Sequence, residues 1–264
     1  MGYEAHAAAR HWQRHLPLLV ATLTCDTTEG RIVSTAVESR VYRTPIQVKV
    51  YVPSCYASRR ETLPVIYLLH GAHADETQWL DLHVQAAADA LIASGQPPFL
   101  VVMPGGAYSV DVNYMAFILD DLIPHTERQF RVRPGRSGRA IGGLSLGGYW
   151  ALRIAFRHPQ QFTAVGGHSP VVGLQQPNGP YALAHTANAL DQLCIALDVG
   201  DADRLRHGTT RLADVLRERG LNVLLHIHSG AHTRAYWRSH TADYLRFYLG
   251  VLSRSADRHA CPKP

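Results

Sequence analysis

"AIGGLSLGGYWALRIAFRHP" (Ala140–Pro159) joins an apolar run to an amphipathic, helix-like segment through a turn that carries one serine between two glycine pairs. Gly143, Ser145 and Gly147 form a G-x-S-x-G match, which Gly142 and Gly148 extend. A serine on a tight strand-to-helix turn takes unfavourable backbone angles among close neighbours, and residues without side chains accommodate them. The motif requires an apolar strand before it and a helix after it, and both are present. The start of that helix would also place its dipole and free N–H groups beside any charge developing at Ser145. Ser145 is then either a nucleophile raised on a strained turn or a small residue in a glycine-rich connection.

The segments on either side favour the first reading. "IQVKVYV" (Ile46–Val52) alternates apolar and polar residues, as a half-exposed strand near a sheet edge does. "PVIYLLHG" and "PFLVVMPGG" are continuous apolar runs around a helical "HVQAAADALIASG". Continuous runs belong to strands buried on both faces, as in parallel α/β sheets. The alternation continues through helical "MAFILDDLIPHTERQF", strand "RAIGGLS", helix "GGYWALRIAFRHP" and strand "FTAVGGHS". Strand "CIALDVG", helix "DRLRHGTTRLADVLRERG", strand "NVLLHIH" and a last helix around "AYWRSHTADYLRFYLGVL" complete it. This order predicts a doubly wound, mostly parallel sheet with helices on both faces, whose ligands sit beyond the carboxyl ends of the strands.

The chain has 264 residues, 46% hydrophobic and 18% charged, enough to bury a large core and too apolar for disorder. No linker or repeat divides it, so one domain is expected over residues 31–252, between an N-terminal extension (1–30) and a C-terminal tail (253–264). The net charge of +5 comes from arginine, since Lys49 and Lys263 are the only lysines. The densest basic stretch, "RQFRVRPGRSGRA" (Arg128–Ala140), lacks interleaved aromatics and reads as a solvated loop, so no nucleic-acid partner is expected. Cys25, Cys55, Cys194 and Cys261 show no metal or redox spacing and suggest at most one bridge rather than a disulfide framework. Near the start, "LPLLVATL" is a short apolar run containing Pro17, with no A-x-A site after it. It makes a poor signal sequence and points to the cytoplasm, and no stretch approaches the ~18 apolar residues of a membrane span.

A serine hydroxyl needs a base, and the base an orienting acid, in the chain order Ser, Asp or Glu, His. "ALDVGDADRL" offers Asp198, Asp201 and Asp203. Asp198 lies inside a strand, whereas Asp203 has the loop position with Asp201 as the alternative. "HSGAHTRAYW" ends the next strand with His232, the expected base. His226, His228, His70 and His73 show no metal-ligand motif among sixteen histidines, so no metal is expected. An oxyanion needs two N–H donors, one after the nucleophile and one from an early strand-end loop. "LLHGAH" (Leu68–His73) supplies that loop, which puts the donors on Leu146 and Ala72. Gly71 lets the chain turn there, and His70 is expected to orient the loop. Trp79, Tyr108 and His168 are candidates for a substrate pocket, with core packing as the alternative. Tyr236 and Trp237 are expected to anchor the last helix.

Together "LPVIYLLHG", Trp79, "VVMPGG", "DDLIPHTERQFRV", "RAIGGLSLGGYWALRIAFRHPQQFTAVGGHSP", "LDVGDADRL" and "GAHTRAYW" resemble, in order and spacing, an esterase family of α/β hydrolases over about Val33 to Leu249. That family includes esterase D (S-formylglutathione hydrolase), feruloyl and enterochelin esterases and the antigen 85 mycolyltransferases. By position, Ser145 is similar to its nucleophile, His232 to its base and Asp203 to its acid, through the match of "GDAD" to a G-x-x-D loop. The resemblance implies the α/β-hydrolase fold and hydrolysis of a small or acyl ester through an acyl-enzyme, without a cofactor. An acyltransferase or an S-formylglutathione hydrolase-like thioesterase would use the same residues, and a non-catalytic binding protein would keep only the fold.

Overall fold

A computed structural model of the protein describes residues 25, 29–106, 113–173, 175–254 and 261. Most of the expected N-terminal extension and C-terminal tail, and Tyr108, lie outside the described residues. Eight strands form one sheet: β1 (Arg31–Val37), β2 (Ile46–Val52), β3 (Val65–Leu69), β4 (Leu100–Pro104), β5 (Arg139–Leu144), β6 (Ala164–His168), β7 (Cys194–Gly200) and β8 (Val223–His228). Their spatial order is β1-β2-β4-β3-β5-β6-β7-β8. β1 pairs antiparallel with β2 and β2 with β4, and every later pairing is parallel. The alternating strand Ile46–Val52 is therefore one place in from the edge, while the edge strand β1 carried no clear signal in the sequence.

The continuous apolar runs are buried on both faces, as their composition requires. In β3, Val65, Tyr67 and Leu69 join one core cluster, and Ile66 and Leu68 join the other. Leu100 and Val102 of β4 likewise face away from Val101 and Met103. The helices are α1 (Gln78–Asp81), α2 (Val84–Ala93), α3 (Asn113–Ala116), α4 (Ile123–Gln129), α5 (Leu146–Arg157), α6 (Pro180–Thr186), α7 (Arg206–Glu218) and α8 (Arg234–Leu252). Residues of α2 and α8 cover one face, and those of α4 to α7 the other. The single helix expected over "MAFILDDLIPHTERQF" is interrupted: a widened π-type turn at Phe117–Leu122 separates α3 from α4. Pro124 has no N–H to donate into the preceding turn, and it lies at the start of α4.

Two sequence expectations change. The basic stretch before β5 is not a solvated loop, because its arginines hold carbonyls and a carboxylate. Arg131 bonds the Tyr56 carbonyl and lies over the Tyr56 ring, Arg133 reaches Leu252 O at 3.1 Å, and Arg136 reaches the carbonyls of Pro159 and Gln192. Arg139 pairs with Glu127 at 2.8 Å. Nor is one bridge the limit, since Cys25 pairs with Cys55 and Cys194 with Cys261. The partners are 30 and 67 residues apart, and only the fold brings them together.

At the carboxyl ends of β6 and β7 lies a buried polar network. Asp198 Oδ1 accepts from His168 Nδ1 at 2.7 Å, and its Oδ2 accepts from the Tyr236 and Tyr244 hydroxyls, both at 2.9 Å. The Tyr248 hydroxyl donates to His168 Nε2 at 2.9 Å. Burial pushes the Tyr244 and Tyr248 hydroxyls well above the ordinary tyrosine value, so they remain donors. Tyr248 reaches His168 across Gly142 and Gly166, which are paired on neighbouring strands; a Cβ on either would overlap its hydroxyl. The network fixes three points of α8 to the sheet.

Tyr244→Phe removes a hydrogen bond to a buried carboxylate and should lower unfolding stability by about 1.5–3 kcal/mol in a urea titration. An unchanged midpoint would show that Asp198 draws nothing from that hydroxyl. Thiol titration of the denatured, unreduced protein should find no free cysteine, and titration after reduction should find all four; reactive thiols before reduction would refute the pairing.

Candidate active site

β3, β5, β6, β7 and β8 run parallel, so their carboxyl ends share one edge of the sheet. The loops that leave this edge carry Gly71 and Ala72, Ser145, Asp203 and His232. Ser145 caps α5 with φ 54° and ψ −116°, left-handed backbone that a β-carbon disfavours. Such strain costs on the order of 1–3 kcal/mol and persists only where neighbours enforce it. Here the Ser145 N–H donates to His168 O at 2.9 Å, and its carbonyl accepts from the N–H groups of Tyr149 and Val171 at 3.1 and 3.0 Å. The flanking glycines permit the turn. A Cβ on Gly143 would meet the Gly147 backbone, and one on Gly147 would meet the carbonyls of Leu69 and His70.

His232 Nε2 lies 3.0 Å from Ser145 Oγ, and His232 Nδ1 lies 2.9 Å from Asp203 Oδ2. The other oxygen of Asp203 accepts from the Leu205 N–H at 2.8 Å, and its side chain is fully buried. Asp201 is exposed and does not touch His232. It accepts from the Gly230 N–H at 3.0 Å, while the backbone N–H groups of Asp201 and Ala202 donate to the carbonyls of His228 and Gly230. Of the two acids the sequence left open, Asp203 is thus the one beside the histidine, and Asp201 ties down the histidine's loop. Asp198, the strand residue, belongs to the buried network.

The backbone N–H groups of Ala72 and Leu146 have no hydrogen-bond acceptor among the described residues. Leu146 is the first residue of α5, where helix N–H groups lack intrahelical partners. Ala72 is held by its neighbours: Gly71 N–H donates to Gln78 Oε1 at 2.7 Å, and His70 Nδ1 faces Gly71 O at 2.8 Å. Burial lowers the pKa of His70, which keeps its ring neutral in this loop-orienting position.

A cleft of about 270 Å³ opens at Ser145, with Gly71, Ala72, Gln78, Leu144, His232 and Trp237 among its walls. Two candidate pocket residues are not there. Trp79 is 1% exposed and donates its indole N–H to Leu69 O at 3.1 Å, so it packs the core. His168 has both ring nitrogens engaged in the buried network and lines a different cavity, of about 300 Å³, with Tyr244, His226 and His228. Tyr108 lies outside the described residues. Trp237 is buried in the core beside Tyr236 and so anchors α8 as expected, and it also sets its ring edge-on to His232 with centroids 4.7 Å apart and lines the cleft. The sequence reading missed Gln78, Arg204 and Arg234 as cleft residues, although Arg204 and Arg234 lie within two positions of Asp203 and His232. His226 and His228 stack along β8, and His228 stacks in turn on His240. Among the described residues no three His, Cys, Asp or Glu side chains gather as a metal-ligand set. No described helix is long and apolar enough to cross a membrane.

Comparison with known proteins agrees with this fold. Esterase Rv1288 of Mycobacterium tuberculosis (strain ATCC 25618 / H37Rv) is 30% identical over 152 residues, 53% of this chain and 32% of its own length. The chain thus spans about a third of that relative. A ferulic acid esterase structure superimposes with TM-score 0.79 at 24% identity, covering 84% of this chain and 98% of the other. The S-formylglutathione hydrolase FrmB of Staphylococcus aureus does so with TM-score 0.74 at 20% identity, covering 84% and 97%. The eight-stranded, mostly parallel sheet is that of these α/β-hydrolase structures. The family profile described as "Putative esterase" matches residues 39–248, most of the chain, and the protein belongs to that esterase family.

Proposed function

We propose that the protein is a serine carboxylesterase that hydrolyses a small or acyl ester through an acyl-enzyme. The unbroken hydrogen-bonded line from Asp203 through His232 to Ser145, at 2.9 and 3.0 Å, carries this reading. His232 Nε2 takes the Ser145 proton as Oγ attacks the ester carbonyl, and Asp203 holds the imidazole in the tautomer that leaves Nε2 free to accept. The carbonyl oxygen becomes an oxyanion, and the N–H groups of Ala72 and Leu146 supply two preorganised donors for it. When the tetrahedral intermediate collapses, His232 returns its proton to the departing alcohol. Water then repeats the sequence on the acyl-serine and releases the acid.

Family membership supports an esterase, and a cleft of about 270 Å³ suits a small ester. No step in the scheme calls for a cofactor. The two disulfides favour an oxidising compartment over the cytoplasm suggested by the first residues, because thiols stay reduced in the cytosol.

With 4-nitrophenyl butyrate, Ser145→Ala should lower kcat by a factor on the order of 10⁴–10⁶, since the three residues act as a unit. Turnover that survives this change would dismiss Ser145 as the nucleophile. Asp203→Asn should cost about 10⁴-fold. Asp201→Asn, which weakens one loop hydrogen bond, should cost about tenfold or less. Equal losses in the two aspartate variants would contradict the assignment of the acid.

A further inference from the structure

The cleft at Ser145 is charged on one side only. Arg204 and Arg234 line it, together with His73 and His232, and no aspartate or glutamate does among the described residues. Arg204 follows Asp203 on the loop that delivers the acid, and it is exposed, with no hydrogen-bond or ion-pair partner among the described residues. Arg234 opens α8 two residues after His232 and meets Asp81 at 3.7 Å, with the two side chains 65% and 51% exposed. So open a pair contributes little and competes weakly with another anion. Asp203 cannot answer either arginine. Its side chain is fully buried and its oxygens are taken by His232 and the Leu205 N–H.

A neutral ester gives these guanidiniums no anion to pair with. Each presents a planar fork of donors matched to a carboxylate, and a charged contact at the mouth of a cleft also steers the ligand inward. We infer that the ester taken by this cleft carries a second, free carboxylate, held by Arg204 and Arg234 while the scissile carbonyl lies at Ser145. This rests on the esterase reading above and narrows its substrate to half-esters of dicarboxylic acids or esters of hydroxy acids. Arg204 and Arg234 are then specificity residues and take no part in moving the proton.

Two matched pairs test it. Mono-4-nitrophenyl adipate against 4-nitrophenyl hexanoate places the charge on the acyl side, and 4-acetoxybenzoate against its methyl ester places it on the alcohol side. In at least one pair the acid should have the higher kcat/KM by about tenfold or more, the range of one or two charge-assisted hydrogen bonds. That advantage should shrink in about 0.5 M salt and largely disappear in an Arg204→Gln/Arg234→Gln double variant whose thermal transition shows it folded. No preference for the acid in either pair, or a preference that the double variant keeps, overturns the inference. A neutral fluorophosphonate and a carboxylate-tailed analogue read the same contact without turnover, and the tailed reagent should label Ser145 faster in the unmodified protein only. Neutral esters cleaved with no acid preference remove this inference and leave the esterase reading standing. Neither hydrolysis nor labelling at Ser145 removes both.

Discussion

The first turn of α5 must pass so close to the ends of β3 and β5 that no side chain fits between them. Gly147 lies against the carbonyls of Leu69 and His70, and Gly143 lies against Gly147. That contact brings Ser145 to the edge where the loops after β3, β7 and β8 converge. It also sets the start of α5 against the end of β3, from which the chain turns at Gly71 to carry Ala72. The N–H and carbonyl hydrogen bonds of Ser145 tie its strained backbone to the β6 end and to Val171. Packing elsewhere therefore sustains a conformation that the isolated turn would abandon.

Two histidine–aspartate pairs lie near each other at this edge, and their surroundings give them different work. In both, Nδ1 meets a carboxylate, at 2.7 Å for His168 and 2.9 Å for His232. His168 also receives the Tyr248 hydroxyl on Nε2 and stacks on Tyr244 at 3.6 Å, so neither nitrogen is free. His232 turns Nε2 to a serine in an open cleft and meets Trp237 only edge-on. The closed pair fastens α8 through Tyr236, Tyr244 and Tyr248, and Tyr236 lies four residues past His232. The pair that cannot react thus helps to hold the loop of the pair placed to react.

Much of this was legible in the sequence because it depends on local pattern. Continuous apolar runs gave the parallel strands, and the glycine spacing around Ser145 gave the elbow. Chain order gave His232 and narrowed the acid to Asp201 or Asp203; deciding between them needed the loop after Gly200, where Asp203 turns inward beneath Leu205 and Asp201 turns out to Gly230. Contacts between residues distant in sequence left no local trace. Trp79 and His168 end up in the core because β6, α1 and α8 converge there, and the disulfides close loops of 30 and 67 residues. The interruption in the helix before α4 is marked in the sequence only by Pro124, because hydrophobic periodicity runs through it.

The same distinction applies to charge. A net charge of +5 is a sum, and its meaning depends on which guanidiniums are already answered. Arg131, Arg133, Arg136 and Arg139 form the densest basic run, yet each is bonded to a carbonyl or a carboxylate of the fold. Their hydrogen bonds cross-link this segment to its neighbours. Arg204 stands alone in the sequence between Asp203 and Leu205 and draws no notice there, but it is exposed at the cleft and forms no ion pair among the described residues. An unanswered guanidinium beside a candidate nucleophile bears more directly on the substrate than the overall excess of arginine does, because electrostatic selection acts over the few ångströms that separate the bound ester from the cleft wall.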